Sequence, residues 1–245
     1  MKHLSAYSSI IRTFCAALAL SAASAYATPV NLVHNGGFES TTNGTGQIGL
    51  NTNVNHWSSA NIGYNFVYGA GEADTTGAMS WFNTPMTLWG SNNGGHNTLT
   101  SDGNFIAADG DYGLQAISQL ITGLIIGQSY TVNFEWAAAQ QYGFFGETTE
   151  HWVVSLGDER QATSIYANCS QCFSGWMQAS MTFTATSTNE LLSFLAGGTP
   201  EGVPPFSLLD NVSMYAVPEP ATWLLMAAGL ALCLMSVRRQ SGISG

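Results

Sequence analysis

The stretch Ser129-Tyr130-Thr131-Val132-Asn133-Phe134-Glu135-Trp136 sets the architecture. Side chains alternate with a period of two along an extended chain. Tyr130, Val132, Phe134 and Trp136 therefore share one face, and Thr131, Asn133 and Glu135 share the other. That is the pattern of a half-buried β-strand. Residues 177–186 repeat it, with Met181 and Phe183 inward and Thr182 and Thr184 outward. Residues 152–156, 191–195 and 207–215 read as further strands, and 115–120 and 104–107 as strands with less regular alternation. No uninterrupted amphipathic helical stretch of useful length appears. Short strands with turn signals between them predict an all-β sandwich.

Residues 69–103 break this pattern. Trp81, Phe82 and Trp89 stand there among Gly, Asn, Thr and Ser, and Ser91-Asn92-Asn93-Gly94-Gly95 is a strong loop signal. The segment is expected to be a long, irregular excursion from the sandwich. Gln140-Gln141-Tyr142-Gly143-Phe144-Phe145-Gly146 is a second aromatic loop, between strands. Trp57, Trp136, Trp152 and Trp176 lie in or beside strands and are expected to pack in the core or at its edge.

Charge narrows the range of partners. The 245 residues carry 5 Lys+Arg against 15 Asp+Glu, a formal charge of -10. The five basic residues are Lys2, Arg12, Arg160, Arg238 and Arg239, so residues 28–217 hold one cation and 14 acids, a net of -13. Nucleic-acid binding needs Lys and Arg to displace phosphate counterions, and this balance nearly rules it out. A surface held to anionic lipid by a polybasic patch is disfavoured for the same reason. Disorder is not indicated, since 45% of residues are hydrophobic.

The two ends read as addresses. Lys2 and Arg12 precede an apolar run at 14–20, then small residues ending in Ala25-Tyr26-Ala27. A charged n-region, an apolar h-region and an A-x-A site make a secretory signal peptide, here residues 1–27. At the other end Pro218-Glu219-Pro220 precedes an uncharged stretch, 221–237, and then Arg238-Arg239. Those 17 residues reach roughly 26 Å as a helix, just short of a hydrocarbon core of about 30 Å. The Arg pair is a cytoplasmic stop. The tripartite order of Pro218-Glu219-Pro220, apolar helix and Arg238-Arg239 closely resembles the PEP-CTERM sorting signal of Gram-negative bacteria. The resemblance implies an inner-membrane precursor, recognition by an exosortase-type enzyme, and passage to the cell surface or an exopolysaccharide matrix. The alternative for the tail is a plain C-terminal anchor. The expected organisation is a signal peptide (1–27), a β-sandwich domain (28–216) and a sorting signal (217–245).

A second resemblance runs through the body. Asn31-Leu32-Val33-His34-Asn35-Gly36-Gly37-Phe38-Glu39 looks like the opening strand of galactose-binding-like jelly rolls, a group that includes carbohydrate-binding modules. Trp57 follows as it does there. Residues 120–131, with Gly123-Leu124, Gly127 and Tyr130, and the closing Leu209-Asp210-Asn211-Val212-Ser213 are similar to later parts of that family. The resemblance implies a jelly-roll sandwich. On the residues themselves, Gly36-Gly37 is expected to permit a positive-φ turn, with Phe38 anchored in the core. In many members of the family, acidic positions matching Glu39 and Asp210 hold a structural calcium together with backbone carbonyls, and the resemblance implies the same here. The competing reading has both carboxylates bonded to backbone amides.

Four Cys occur, but Cys15 lies in the signal and Cys233 in the tail, leaving Cys169 and Cys172 in the body. One C-x-x-C pair is not a zinc site, which needs four ligands. After export a local disulfide is the better reading. Glu147, Glu150 and His151 cluster in sequence, as do Asp109 and Asp111, and both groups are expected in solvated turns beside strands. Asp109-Gly110-Asp111-Tyr112-Gly113 reads as a tight turn. No G-x-S-x-G, H-E-x-x-H or Walker loop is present, so no catalytic residues are expected. The aromatic loops are the best functional hint, because sugar rings stack on Trp and Tyr faces while polar groups bond the hydroxyls. Trp81, Phe82, Trp89, Tyr142 and Phe144 are the candidate ligand-binding residues. The alternative is that the loops tuck these rings beneath themselves as satellite cores. The expected function is non-catalytic glycan binding at a surface or matrix, linked to exopolysaccharide or biofilm. The alternatives are a structural or adhesive protein without a glycan site and, least favoured, an enzyme acting on polysaccharide.

Overall fold

Fourteen strands lie among the described residues, the longest of them built on alternation of apolar and polar side chains. The computed structural model describes residues 29–73, 79–81, 84–88, 103–218 and Gly229, without the side chains of Met79 and Trp81. In chain order the strands are β1 (Gly46–Gln47), β2 (Ser58–Ser59), β3 (Asn65–Tyr68), β4 (Met79–Trp81), β5 (Thr84–Met86), β6 (Phe105–Asp109) and β7 (Ile117–Thr122). There follow β8 (Ser129–Gln140), β9 (Thr148–Leu156), β10 (Glu159–Ala162), β11 (Tyr166–Asn168), β12 (Met177–Thr184), β13 (Asn189–Thr199) and β14 (Pro205–Ala216). The first sheet has the order β1-β3-β6-β14-β8-β12 and the second β10-β9-β13-β7-β2, with β11 also paired to β9. Strands β4 and β5 pair with each other. From β6 to β9, and again from β12 to β14, successive strands alternate between the two sheets.

The expected inward face of β8 is buried as its pattern requires: Tyr130, Val132, Phe134 and Trp136 join one core with Trp152, Val154, Leu192 and Phe194 of the second sheet. The two sheets therefore face each other across this core. Phe194 is its centre. Its ring meets Phe134 at 5.2 Å and Trp152 at 6.1 Å between centroids, both edge-on, the favoured aromatic geometry. The indole of Trp152 donates to the Leu208 carbonyl at 3.0 Å, so its one polar atom is satisfied. Trp57 and Trp136 are buried in the same core.

A second core lies on the other face of the first sheet. Phe66, Tyr68, Phe105, Ala107, Ala137, Ala139, Phe206 and Leu208 belong to it. On the same strands Val67, Ile106, Ala108, Trp136 and Leu209 belong to the first. With period two, the two sets must point to opposite faces. Ala73, Met86 and Leu88 from the excursion, and Phe173 with partly buried Trp176 from the loop before β12, cover this outer face. The excursion is thus less irregular than its composition suggests. It contains a two-stranded element, and at least its described part serves as a lid of packed side chains.

The opening segment differs from expectation. Residues 31–40 form no strand. They run beside β14, with Leu32 N donating to the Met214 carbonyl at 2.9 Å and Val212 N donating to the Gly36 carbonyl at 3.0 Å. Positive φ falls on Asn35 (53°) and Phe38 (59°), not on Gly36 or Gly37. Asn35 tolerates it because its side chain ties the turn: Oδ1 accepts from Ser40 N at 3.0 Å and Nδ2 donates to the Asn55 carbonyl at 2.9 Å. Gly36 is required for a different reason. A Cβ there would collide with the Val212 carbonyl. Phe38 is fully buried, as expected.

Candidate functional site

Between its covered part and its edge, the outer face of the first sheet opens to solvent. β8 and β12 pair antiparallel, with Glu135 opposite Gln178 and Asn133 opposite Ser180. All four alternate with the inward residues of their strands, so they form one outward polar patch. The pairing of β14 with β8 shifts register between Asp210 and Ser213. At this bulge Asn211 takes φ of 50°, which turns its amide back over the patch. Its Nδ2 donates to Glu135 Oε2 at 3.0 Å. Asn133, Phe134, Glu135, Gln178, Ala179, Ser180 and Asn211 line an open groove of about 330 Å³.

The groove presents three carboxamides, one hydroxyl and one carboxylate. Carboxamides both donate and accept, and the carboxylate accepts only. This mix suits a neutral, polyhydroxylated ligand. No His, Cys, Lys or Arg lines it. Its single carboxylate is not the pair that glycoside hydrolysis uses.

The carboxyls with shifted acidity lie elsewhere and are sealed. Glu150 is not in a solvated turn. It lies within β9 on the inward face shared by Thr148, Trp152 and Val154, and it is fully buried. Burial pushes its pKa up to about 8, against the pull of the neighbouring Thr148 hydroxyl. Asp109 does close the tight turn, accepting from Asp111 N at 2.8 Å and Tyr112 N at 3.0 Å. It too is buried, at the end of β6, and burial raises its pKa to about 6 against the pull of those two amides. A general acid must reach its substrate, and neither group meets solvent.

Of the ring candidates, Tyr142 and Phe144 are exposed in the loop between β8 and β9. Trp81 falls in β4, while its side chain, Phe82 and Trp89 lie outside the described residues. Met86 and Leu88, from the same excursion, are buried in the second core. Glu39 is exposed, and its Oε1 accepts from Asn104 N at 2.7 Å. Asp210 is fully buried, and its Oδ1 accepts from Asn211 N at 2.7 Å. Gly37 passes over it, with the place of its missing Cβ 3.9 Å from Asp210 Oδ1. Among the described residues no group of three or more His, Cys, Asp or Glu is placed to hold a metal. Cys169 and Cys172 are disulfide-bonded, with Cα atoms 5.2 Å apart. Pro218 is exposed. Glu219, Pro220, Arg238 and Arg239 lie outside the described residues, and among those described no helix is long and apolar enough to cross a membrane.

The groove has no local signal in the sequence. Asn133 and Glu135 were visible as the outward face of the clearest strand. Nothing in the linear order shows that Gln178 and Ser180 lie opposite them, or that a bulge brings in Asn211. Burial of Glu150 had a signal: counting back by twos from Leu156 through Val154 and Trp152 reaches it.

A two-sheet β protein with a polar groove on one sheet face is the class that these features define. Residues 216–240 carry a PEP-CTERM protein-sorting motif. No curated protein matches the sequence. Similar solved structures include TmCBM61 in complex with β-1,4-galactotriose, at 14% identity over 77% of this chain and 99% of that one, TM-score 0.38. The K3 cleaved adhesin domain of Lys-gingipain from Porphyromonas gingivalis is similar at 10% identity over 76% and 98%, TM-score 0.43. The enzymatically active domain of bacteriophage CBA120 tailspike protein 4 is similar at 13% identity over 77% of this chain, TM-score 0.38, and the chain spans 22% of its length.

Proposed function

We propose that this is an exported surface or matrix protein that binds a neutral glycan without chemistry. The groove on β8, β12 and the β14 bulge carries the binding half of this reading. Its carboxamides, hydroxyl and carboxylate suit sugar hydroxyls, and its opening admits a chain passing through rather than an enclosed small molecule. A body with one cation against 14 acids disfavours an anionic polymer. The alternation of strands between sheets supports a jelly-roll reading of the sandwich. Residues 1–27 act as a signal peptide. The apolar stretch 221–237 holds the precursor in the inner membrane until an exosortase-type enzyme processes it, and the body then reaches the surface or an exopolysaccharide-rich biofilm matrix. A structural calcium at Glu39 and Asp210 is a further part of the proposal. It would draw its remaining ligands from peptide carbonyls, since calcium takes about 6–8 oxygens.

A glycan array probed with the full-length protein tests the binding. Glu135→Ala and Gln178→Ala should each weaken whatever binding is seen by about tenfold or more, with the melting temperature held. Unchanged affinity in both variants removes the groove from the reading. Replacing Pro218 and Pro220 with Ala should leave the protein in the inner membrane, and unchanged release would defeat the sorting half.

A further inference from the structure

The loop at the far end of β8 has a construction that glycan binding in the groove does not use. Residues 141–147 expose three rings: Tyr142 at 46%, Phe144 at 39% and Phe145 at 77%. Three exposed rings in four residues are neither a core nor a satellite core, and they carry a cost that scattered apolar residues do not. The backbone beneath them is held from several sides. Ser170 Oγ accepts from Gly146 N at 2.9 Å, and Gln171 Nε2 donates to the Phe144 carbonyl at 2.9 Å. Both residues sit inside the small ring closed by Cys169 and Cys172. The fully buried Gln140 joins the two segments, accepting from Gln171 N and donating from Nε2 to the Gly146 carbonyl at 3.0 Å. From the other side Tyr142 N donates to the Thr87 carbonyl at 2.9 Å. The rings therefore project from a braced loop, and a preformed surface gives up less conformational entropy on binding.

We infer that loop 141–147 is a second contact for the same glycan, so that the ligand is a neutral polymer rather than a short sugar. This rests on the groove reading. Tyr142 lies seven residues beyond Glu135 along nearly continuous strand, about 23 Å at roughly 3.3 Å per residue. A polymer can reach both places and an oligosaccharide of a few units cannot. Exposed Glu147 within the loop, in a body with one cation against 14 acids, disfavours an anionic lipid surface. Glu147 supplies a carboxylate acceptor in the same loop as the rings, which suits hydroxylated rings better than an apolar protein anchor. Ser170 and Gln171 are positioning residues, and the disulfide fixes them.

Two contacts on one chain make affinity depend on ligand length. Soluble galactan, xylan and β-glucan, each as polymer and as tetrasaccharide, are the probes for the full-length protein. The polymer that binds should do so at least about tenfold more tightly than its tetrasaccharide. Changing Tyr142, Phe144 and Phe145 together to Ala should erase that advantage and leave tetrasaccharide affinity intact. Ser170→Ala combined with Gln171→Ala should erase part of it at an unchanged melting temperature, while Ser170→Thr, which keeps the hydroxyl, retains it. Equal binding of polymer and tetrasaccharide, both abolished by Glu135→Ala, overturns the second contact and leaves the groove standing. Loss in the ring variant with no effect of Glu135→Ala or Gln178→Ala overturns the groove instead. If none of the three polymers binds the unmodified protein, both readings fall.

Discussion

One face of one sheet meets two fates. Where β3, β6, β14 and the far part of β8 lie side by side, the outer face is apolar and roofed by Met86, Leu88, Phe173 and Trp176. Where β8 pairs with β12, the same face is polar and open. β8 belongs to both: Ala137 and Ala139 lie beneath the roof, while Asn133 and Glu135 line the groove. A few residues along one strand change a surface from packing to recognition. The difference lies in what covers the face, and alanine versus carboxamide records it.

The largest expected contrast comes from cutting one side of this pair at a time. Phe206 is fully buried under the roof. Phe206→Ala should cost about 3–5 kcal/mol of stability, read by chemical denaturation, with saccharide affinity unchanged below the transition. A loss below about 1 kcal/mol would mean the roof is not a true core. The next contrast sets two carboxyls against each other, Glu135 in the open groove and Glu150 sealed between the sheets. The folded pKa of Glu150 is raised from 4.5 to about 8, so between those values the folded state binds more protons than the unfolded one. Its contribution is complete below the lower value, declines as pH rises, and is gone above the upper one. Glu150→Gln should flatten this decline and stabilise the protein at pH 8 by an amount on the order of a few kcal/mol. An unchanged pH–stability profile would refute the sealed carboxyl. Smaller still, Asn211→Ala removes the amide that the bulge lays on Glu135, and should weaken glycan binding several-fold, about 1 kcal/mol, with stability nearly constant. The smallest effect is expected from EDTA. If calcium bridges Glu39 and Asp210, the melting temperature should fall by a few degrees and recover with added calcium, whereas no shift would dismiss the ion.

The sequence shows the sandwich wherever one face is wet. β8 as far as Trp136, and β12, alternate cleanly because their outer faces meet solvent there. β3 was not legible. All four of its residues are buried, and a strand covered on both sides has no alternation to display. The excursion reads as irregular because Met86 and Leu88, which make it a roof, sit in a short segment flanked by Gly, Asn, Thr and Ser with no sustained period. Tyr142 and Phe144 could be placed in an exposed loop from composition. The groove could not be, since it depends on the register of β12 against β8 and on a bulge, and both are set by long-range packing. Gly36 is special for close packing, not for a positive-φ turn. Its sequence shows a glycine, and only the fold shows that a carbonyl of β14 occupies the space a side chain would need.

The position of β14 has a mechanical consequence. It is a central strand, bonded to β6 along 206–209 and to β8 along most of its length, from Pro205 to Ala216. It is also the strand that continues directly into residue 217 and the sorting tail. A force entering through the tail, along the strand, loads many of these ladder bonds together in shear. An edge strand such as β12 would instead peel one bond at a time. The chain therefore leaves the body from a strand paired on both sides rather than from an edge.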